Sequence, residues 1–157
     1  MINRILIVGL GSIGKRHLRL ARELLPKAEI AVLRHKVDLV IPKDADHIFS
    51  TIAEALDFAP MLAVIASPST FHLSTAMRLA EAGVHLLIEK PLSATSEGVK
   101  DLLEVCRKTN TVLAIGYNLR FLKSMQKFKT MLDSQVIGSV WSVRSEIGQY
   151  LPSWRPD

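Results

Sequence analysis

The chain is short of several things, and each shortage narrows what it can be. A single cysteine, Cys106, among 157 residues leaves no internal disulfide. It falls at helical spacing among apolar neighbours, the setting of a packing residue rather than a reactive thiol. Aromatic residues make up only 6%, and the Lys and Arg side chains are scattered, with no basic run longer than three. That pattern speaks against a nucleic-acid partner. No apolar stretch approaches the ~18 residues of a membrane span. The N-terminus also lacks the charged region and long apolar run of a leader, because Gly9 and Gly11 interrupt it early. Internal repeats and low-complexity segments are absent. The expectation is a cytoplasmic protein with no membrane partner and no metal site.

What remains is ordinary globular material: 48% hydrophobic, 22% charged, net charge +5. The length suffices for one well-packed domain and a remnant. The most informative stretch is Ile5-Leu6-Ile7-Val8 followed by Gly9-Leu10-Gly11-Ser12-Ile13-Gly14. It reads as an apolar strand, a glycine turn and the first turn of a helix, with the G-x-G-x-x-G spacing of a dinucleotide site. Gly9 allows the tight turn, Gly11 allows close approach of a pyrophosphate, and Gly14 allows the helix to pack on the strand. The helix N–H groups and dipole favour an anion there. The alternative is a glycine turn that binds nothing. Its position after a strand and before a helix favours the nucleotide site.

The helix after Gly11 presents Ile13, His17, Leu20, Ala21 and Leu24 on one face and is stopped by Pro26. His17 on that stripe reads as a packed, hydrogen-bonded histidine. Ile30-Ala31-Val32-Leu33 is the second strand, and His47-Ile48-Phe49 a third, with the crossover helix between them shortened or lost. A brief helix runs from Ile52 to Phe58. Met61-Leu62-Ala63-Val64-Ile65-Ala66 is a strand covered on both faces. Ser67-Pro68-Ser69-Thr70 supplies turn and cap chemistry for a helix ending at Gly83. Val84-His85-Leu86-Leu87-Ile88 is the fifth strand. Ser93 is placed to cap a helix with the stripe Val99, Leu102, Leu103 and Cys106. Thr111-Val112-Leu113-Ala114-Ile115 is the sixth. Such regular alternation predicts an α/β fold with a Rossmann-type, doubly wound parallel sheet over residues 1–119.

Beyond Arg120 the pattern changes. Leu122, Met125, Phe128 and Leu132 form a helical stripe, closed by Ile137-Gly138. Trp141, Val143 and Ile147 then alternate with polar residues, the period of a strand buried on one face. Residues 120–157 therefore read as the first helix and strand of an incomplete α+β second domain for substrate or oligomerisation. Such a segment either folds back, lies disordered or pairs between two copies; an unpaired strand is a ready template, so pairing is favoured and a homo-oligomer is expected.

These residues resemble the glucose–fructose oxidoreductase/inositol dehydrogenase (Gfo/Idh/MocA) family in its N-terminal half. The matching pieces are the glycine motif, Ala66-Ser67-Pro68-Ser69-Thr70-Phe71-His72, Glu89-Lys90-Pro91, and Gly116-Tyr117-Asn118-Leu119-Arg120-Phe121. The segment from Gly148 through Gln149-Tyr150-Leu151-Pro152 to Asp157 looks like members acting on sugars in surface-polysaccharide pathways. The resemblance implies an NAD(P)-dependent oxidoreductase moving hydride to or from a sugar, sugar nucleotide or cyclitol. It implies a cofactor site that includes Gly9, Gly11, Ser12, Ile13, Gly14, Ser67, Pro68, His72, Glu89, Lys90 and Asn118, with Lys90 catalytic.

Lys90 falls at the carboxyl end of a strand, where open α/β sheets place ligands. Its ammonium suits the substrate oxygen on the carbon that gives or takes hydride, and burial would let it share that oxygen's proton. Glu89 either orients it or contacts the nicotinamide ribose. Pro91 is a candidate for a cis bond. His72 either touches the pyrophosphate or packs. Asn118 is placed for the nicotinamide end, with turn chemistry as the alternative. The departure lies at the second strand, where NAD-selective sites carry Asp or Glu. Here Arg34 stands with His35 and Lys36, and a guanidinium suits a 2′-phosphate. NADP is therefore expected over NAD. The family's remaining catalytic histidine and aspartate, on a helix of the second domain, have no counterpart in these 157 residues. The chain alone is thus expected to be an inactive fragment. The alternative is a non-catalytic NAD(P)-binding module acting as a sensor or regulatory subunit.

Overall fold

The computed structural model describes residues 2–35 and 40–148. Lys36 and the tail segment 149–157 that resembles sugar-acting members lie outside the described residues. The chain divides into two compact units, Met1–Tyr117 and Asn118–Asp157.

The first unit is a six-stranded sheet in the order β3-β2-β1-β4-β5-β6, parallel throughout. Its strands are β1 (Arg4–Val8), β2 (Glu29–Leu33), β3 (His47–Phe49), β4 (Leu62–Ile65), β5 (His85–Ile88) and β6 (Leu113–Ile115). Helices α1 (Ser12–Leu24), α2 (Ile52–Asp57), α3 (His72–Glu81) and α4 (Val99–Lys108) connect them. The apolar runs place side chains on both faces of the sheet, as buried parallel strands require. Leu6, Val8, Ile65 and Leu86 pack with α2, α3 and α4. Ile5, Ile7, Ile30 and Val32 pack with Leu18 of α1. Each fully buried side chain of this size contributes ~1.5–3 kcal/mol. Cys106 is buried in the first of these clusters, and burial pushes its thiol up.

Residues 40–46 carry no helix, in keeping with the shortened crossover. A polar clamp holds this connection instead. Arg22 donates to the Asp44 and Ala28 carbonyls at 3.2 and 2.8 Å and to Asp46 Oδ2 at 2.6 Å. The same Asp46 oxygen accepts the Ile30 N–H at 2.8 Å. Helix α2 starts with a capping box, in which Thr51 accepts the Glu54 N–H and Glu54 accepts the Thr51 N–H. The helices α2, α3 and α4 are followed by the left-handed residues Ala59, Gly83 and Asn110.

Three local expectations are corrected. Ser93 does not cap α4: its hydroxyl donates to the Thr95 carbonyl, and α4 begins after Gly98 at φ 73°. The Ser67–Thr70 hydroxyls cap nothing either, because a 3-10 turn at Ser69–Phe71 intervenes and α3 starts without a side-chain cap. The strand expected at Trp141, Val143 and Ile147 is not formed: residues 139–148 carry no strand, and Trp141 is 95% exposed. A lone half-buried strand has no ladder to join, which leaves its pattern without a partner. In the second unit, α5 (Lys123–Asp133) follows a 3-10 turn at Asn118–Phe121 and ends before Ser134, short of the Ile137-Gly138 stop.

Candidate functional site

The site is built at the carboxyl ends of β1, β2, β4 and β5. Gly9 leaves β1 at φ 88°, and its N–H donates to the Leu33 carbonyl at 2.9 Å. A Cβ built there would lie 2.8 Å from the Ser67 nitrogen and 2.9 Å from the Ala66 carbonyl oxygen. The turn is thus pressed directly against the end of β4. Gly14 is as tightly held, since a Cβ would meet the Gly9 carbonyl oxygen at 2.1 Å. Gly11 is different. It caps α1 with ordinary extended backbone, and a Cβ there would meet nothing within 4 Å. No side chain caps α1 and no acidic residue stands in its first turn, so the N–H groups around Ser12 and Ile13 are left without a side-chain acceptor among the described residues. Beside the turn, Ser67 Oγ is buried without a hydrogen-bond partner among the described residues. An uncapped helix start, open space at Gly11 and an orphaned hydroxyl fit a dinucleotide pyrophosphate.

Arg34 follows β2, its N–H donating to the Phe49 carbonyl at 3.0 Å, and His35 is exposed beside it. Pro68 is exposed next to Ser67. At the end of β5, Glu89 Oε1 lies 2.7 Å from His17 Nε2, the imidazole N–H donating to the carboxylate. Glu89 Oε2 accepts the Lys90 N–H at 3.2 Å. Lys90 itself is exposed, so the burial on which its proton-sharing role depends is not supplied by the described residues. The Lys90–Pro91 bond is cis.

His72 is 1% exposed. Its Nε2 faces the Ser67 carbonyl at 2.7 Å and its Nδ1 the Pro91 carbonyl at 2.9 Å. The ring thus packs between the Ser67 and Pro91 turns with a carbonyl at each nitrogen, and a neutral imidazole donates its single N–H to one of them. Asn118 opens the second unit and is exposed. The partnership of His17 with Glu89, 72 positions apart, was not foreseen. The available signal was a polar ring on an apolar helix stripe, which demands a partner. No cluster of His, Cys, Asp or Glu able to hold a metal occurs among the described residues, and no described helix is long and apolar enough to cross a membrane.

A glycine turn opening a helix beside the point where the strand order reverses defines a dinucleotide-binding α/β protein. The pattern of the oxidoreductase family with the NAD-binding Rossmann fold matches residues 3–117, and the chain belongs to that Gfo/Idh/MocA family. Levoglucosan dehydrogenase of Pseudarthrobacter phenanthrenivorans is 33% identical over 93 residues, covering 59% of this chain and 23% of that protein. Oxidoreductase P35 of Formosa agariphila is 32% identical over 125 residues, covering 76% and 39%. The crystal structure of scyllo-inositol dehydrogenase from Lactobacillus casei with NAD(H) and scyllo-inositol matches at TM-score 0.74 and 26% identity, over 88% of this chain and 43% of that one. The chain spans less than half the length of these relatives.

Proposed function

We propose that the chain is the cofactor-binding half of an NAD(P)-dependent oxidoreductase acting on a hydroxyl or keto group of a sugar, sugar nucleotide or cyclitol. The observation that carries this reading is the glycine turn itself, pressed against Ser67 at Gly9 and open at Gly11, with the Ser67 hydroxyl orphaned beside it. The names of levoglucosan dehydrogenase and scyllo-inositol dehydrogenase support the substrate class. A bound nicotinamide supplies or accepts the hydride. The chain's own residues do the rest. The glycine turn and α1 hold the pyrophosphate, Ser67 donates to the cofactor, and Lys90 holds the oxygen on the reacting carbon.

Arg34 makes NADP the preferred cofactor. It stands where a carboxylate would hold a 2′-hydroxyl, and a guanidinium binds a 2′-phosphate with charge-assisted bonds. One such contact is worth roughly 1.5–3 kcal/mol, a preference of about tenfold to a hundredfold. Fluorescence titration of the 157-residue chain with NADPH and NADH tests both claims. Binding with an NADPH preference that Arg34→Ala abolishes is the expected result. Equal affinities remove Arg34 from the role, and no binding of either removes the reading.

A further inference from the structure

Glu89 stands where three parts of the first unit meet. One carboxylate oxygen takes the His17 bond from α1 at 2.7 Å and the other takes the Lys90 N–H at 3.2 Å. On a third side is Gly116, where a Cβ would fall 3.1 Å from Oε1 and 3.2 Å from Oε2. Gly116 is itself fixed, its N–H donating to the Ile88 carbonyl at 2.8 Å. The carboxylate and the imidazole are only 15% and 19% exposed, and a shielded charge-assisted bond holds its geometry more firmly than a solvated one.

His17 lies on the turn of α1 next to Gly14 and Leu18, both buried against the sheet. The helix is a rigid rod over this distance. The uncapped first turn and His17 thus belong to one element, which the Glu89 carboxylate bonds to the Lys90 backbone.

We propose that His17 and Glu89 are a positioning pair that ties Lys90 to the dinucleotide-binding helix, so that filling the glycine turn fixes the strand end carrying Lys90. This rests on the roles of the glycine turn and Lys90 given under the proposed function. In this role Glu89 acts on Lys90 through its bonds to His17 and to the Lys90 backbone. A Cβ at Gly116 would crowd this carboxylate at 3.1–3.2 Å and oblige it to shift by a few tenths of an ångström.

The test is amide hydrogen exchange at Lys90 in the 157-residue chain, with and without NADPH. In the unaltered chain NADPH is expected to slow exchange at Lys90. In His17→Ala that amide should exchange about tenfold faster and NADPH should no longer slow it, while the β1 and β4 amides stay unchanged. His17→Gln keeps an N–H donor and should restore the slow rate, a rescue that a merely structural loss would not show. Gly116→Ala leaves His17 in place and should loosen Lys90 in the same way, which serves if His17→Ala does not fold. Exchange at Lys90 that is indifferent to both variants overturns the pair, as does a Gln variant no better than Ala. Failure to bind NADPH is a separate result: it removes the proposed function, while the cofactor-free comparison still decides whether His17 holds Lys90.

Discussion

Arg22 and Asp46 meet at 2.6 Å across the connection between β2 and β3, where the fold has no crossover helix among the described residues. Burial alone would raise the Asp46 carboxyl. The Ile30 N–H, the bond and charge of Arg22, and nearby His47 outweigh it and hold the carboxyl below its usual range.

A carboxyl whose value is lowered by folding stabilises the protein above its unfolded value and loses that contribution as pH falls through the folded one. Asp46→Asn is therefore expected to lower stability at pH 7 by about 1 kcal/mol, a modest figure because the pair is part exposed. The Tm should drop by roughly 2–4 °C. Below about pH 4 the gap between variant and parent should begin to narrow, closing as pH falls through the lower folded value. A gap that persists unchanged in acid, followed by thermal melts across pH, would show that the charge is not the cause.

Gly9 and Gly11 are expected to respond oppositely to alanine. Gly9→Ala puts a methyl group against backbone at 2.8 Å on a left-handed residue, and its cost should exceed about 2 kcal/mol. Gly11→Ala meets no protein atom within 4 Å, so stability should hold within ~0.5 kcal/mol. Its cofactor affinity should nonetheless fall about tenfold, because the methyl stands where the pyrophosphate approaches. Denaturant melts and NADPH titrations on both variants separate the two effects.

Ser67→Ala removes a buried hydroxyl that has no hydrogen-bond partner among the described residues. Without cofactor the variant should be as stable as the parent or slightly more so, since the desolvation of an unmatched group is relieved. With cofactor it should lose ~0.5–1.5 kcal/mol of binding, about twofold to tenfold in Kd. Weaker folding with unchanged binding is the opposite result and would assign the hydroxyl to structure.

If Lys90 has the proposed role at the reacting oxygen, Lys90→Ala in a form of the protein that carries a second domain is expected to cut hydride transfer while leaving cofactor affinity within a few fold. A normal kcat would sink that role.

Much of the first unit could be read from the sequence because its signals are local. Apolar runs such as Leu62–Ile65 mark doubly covered strands, and Gly9, Gly11 and Gly14 mark the turn by spacing alone. Ser93 misled because a hydroxyl before a helix has competitors, and the nearby Thr95 carbonyl took the bond. Trp141, Val143 and Ile147 misled because alternation describes which face a strand would bury, not whether a sheet is there to receive it. His17 and Glu89 are each interpretable alone, but only the fold brings them to 2.7 Å.

The left-handed residues after α2, α3 and α4 all lie at the amino ends of β4, β5 and β6, opposite the glycine turn and Lys90. Of these, Ala59 holds φ 50° without the freedom of glycine. Ala59→Gly should relieve a net ~0.5–1 kcal/mol after glycine's own entropic loss. It should raise the melting temperature with no change in NADPH affinity. The two ends of the sheet are thus separable for engineering: one can be altered for robustness while the other keeps its ligand chemistry.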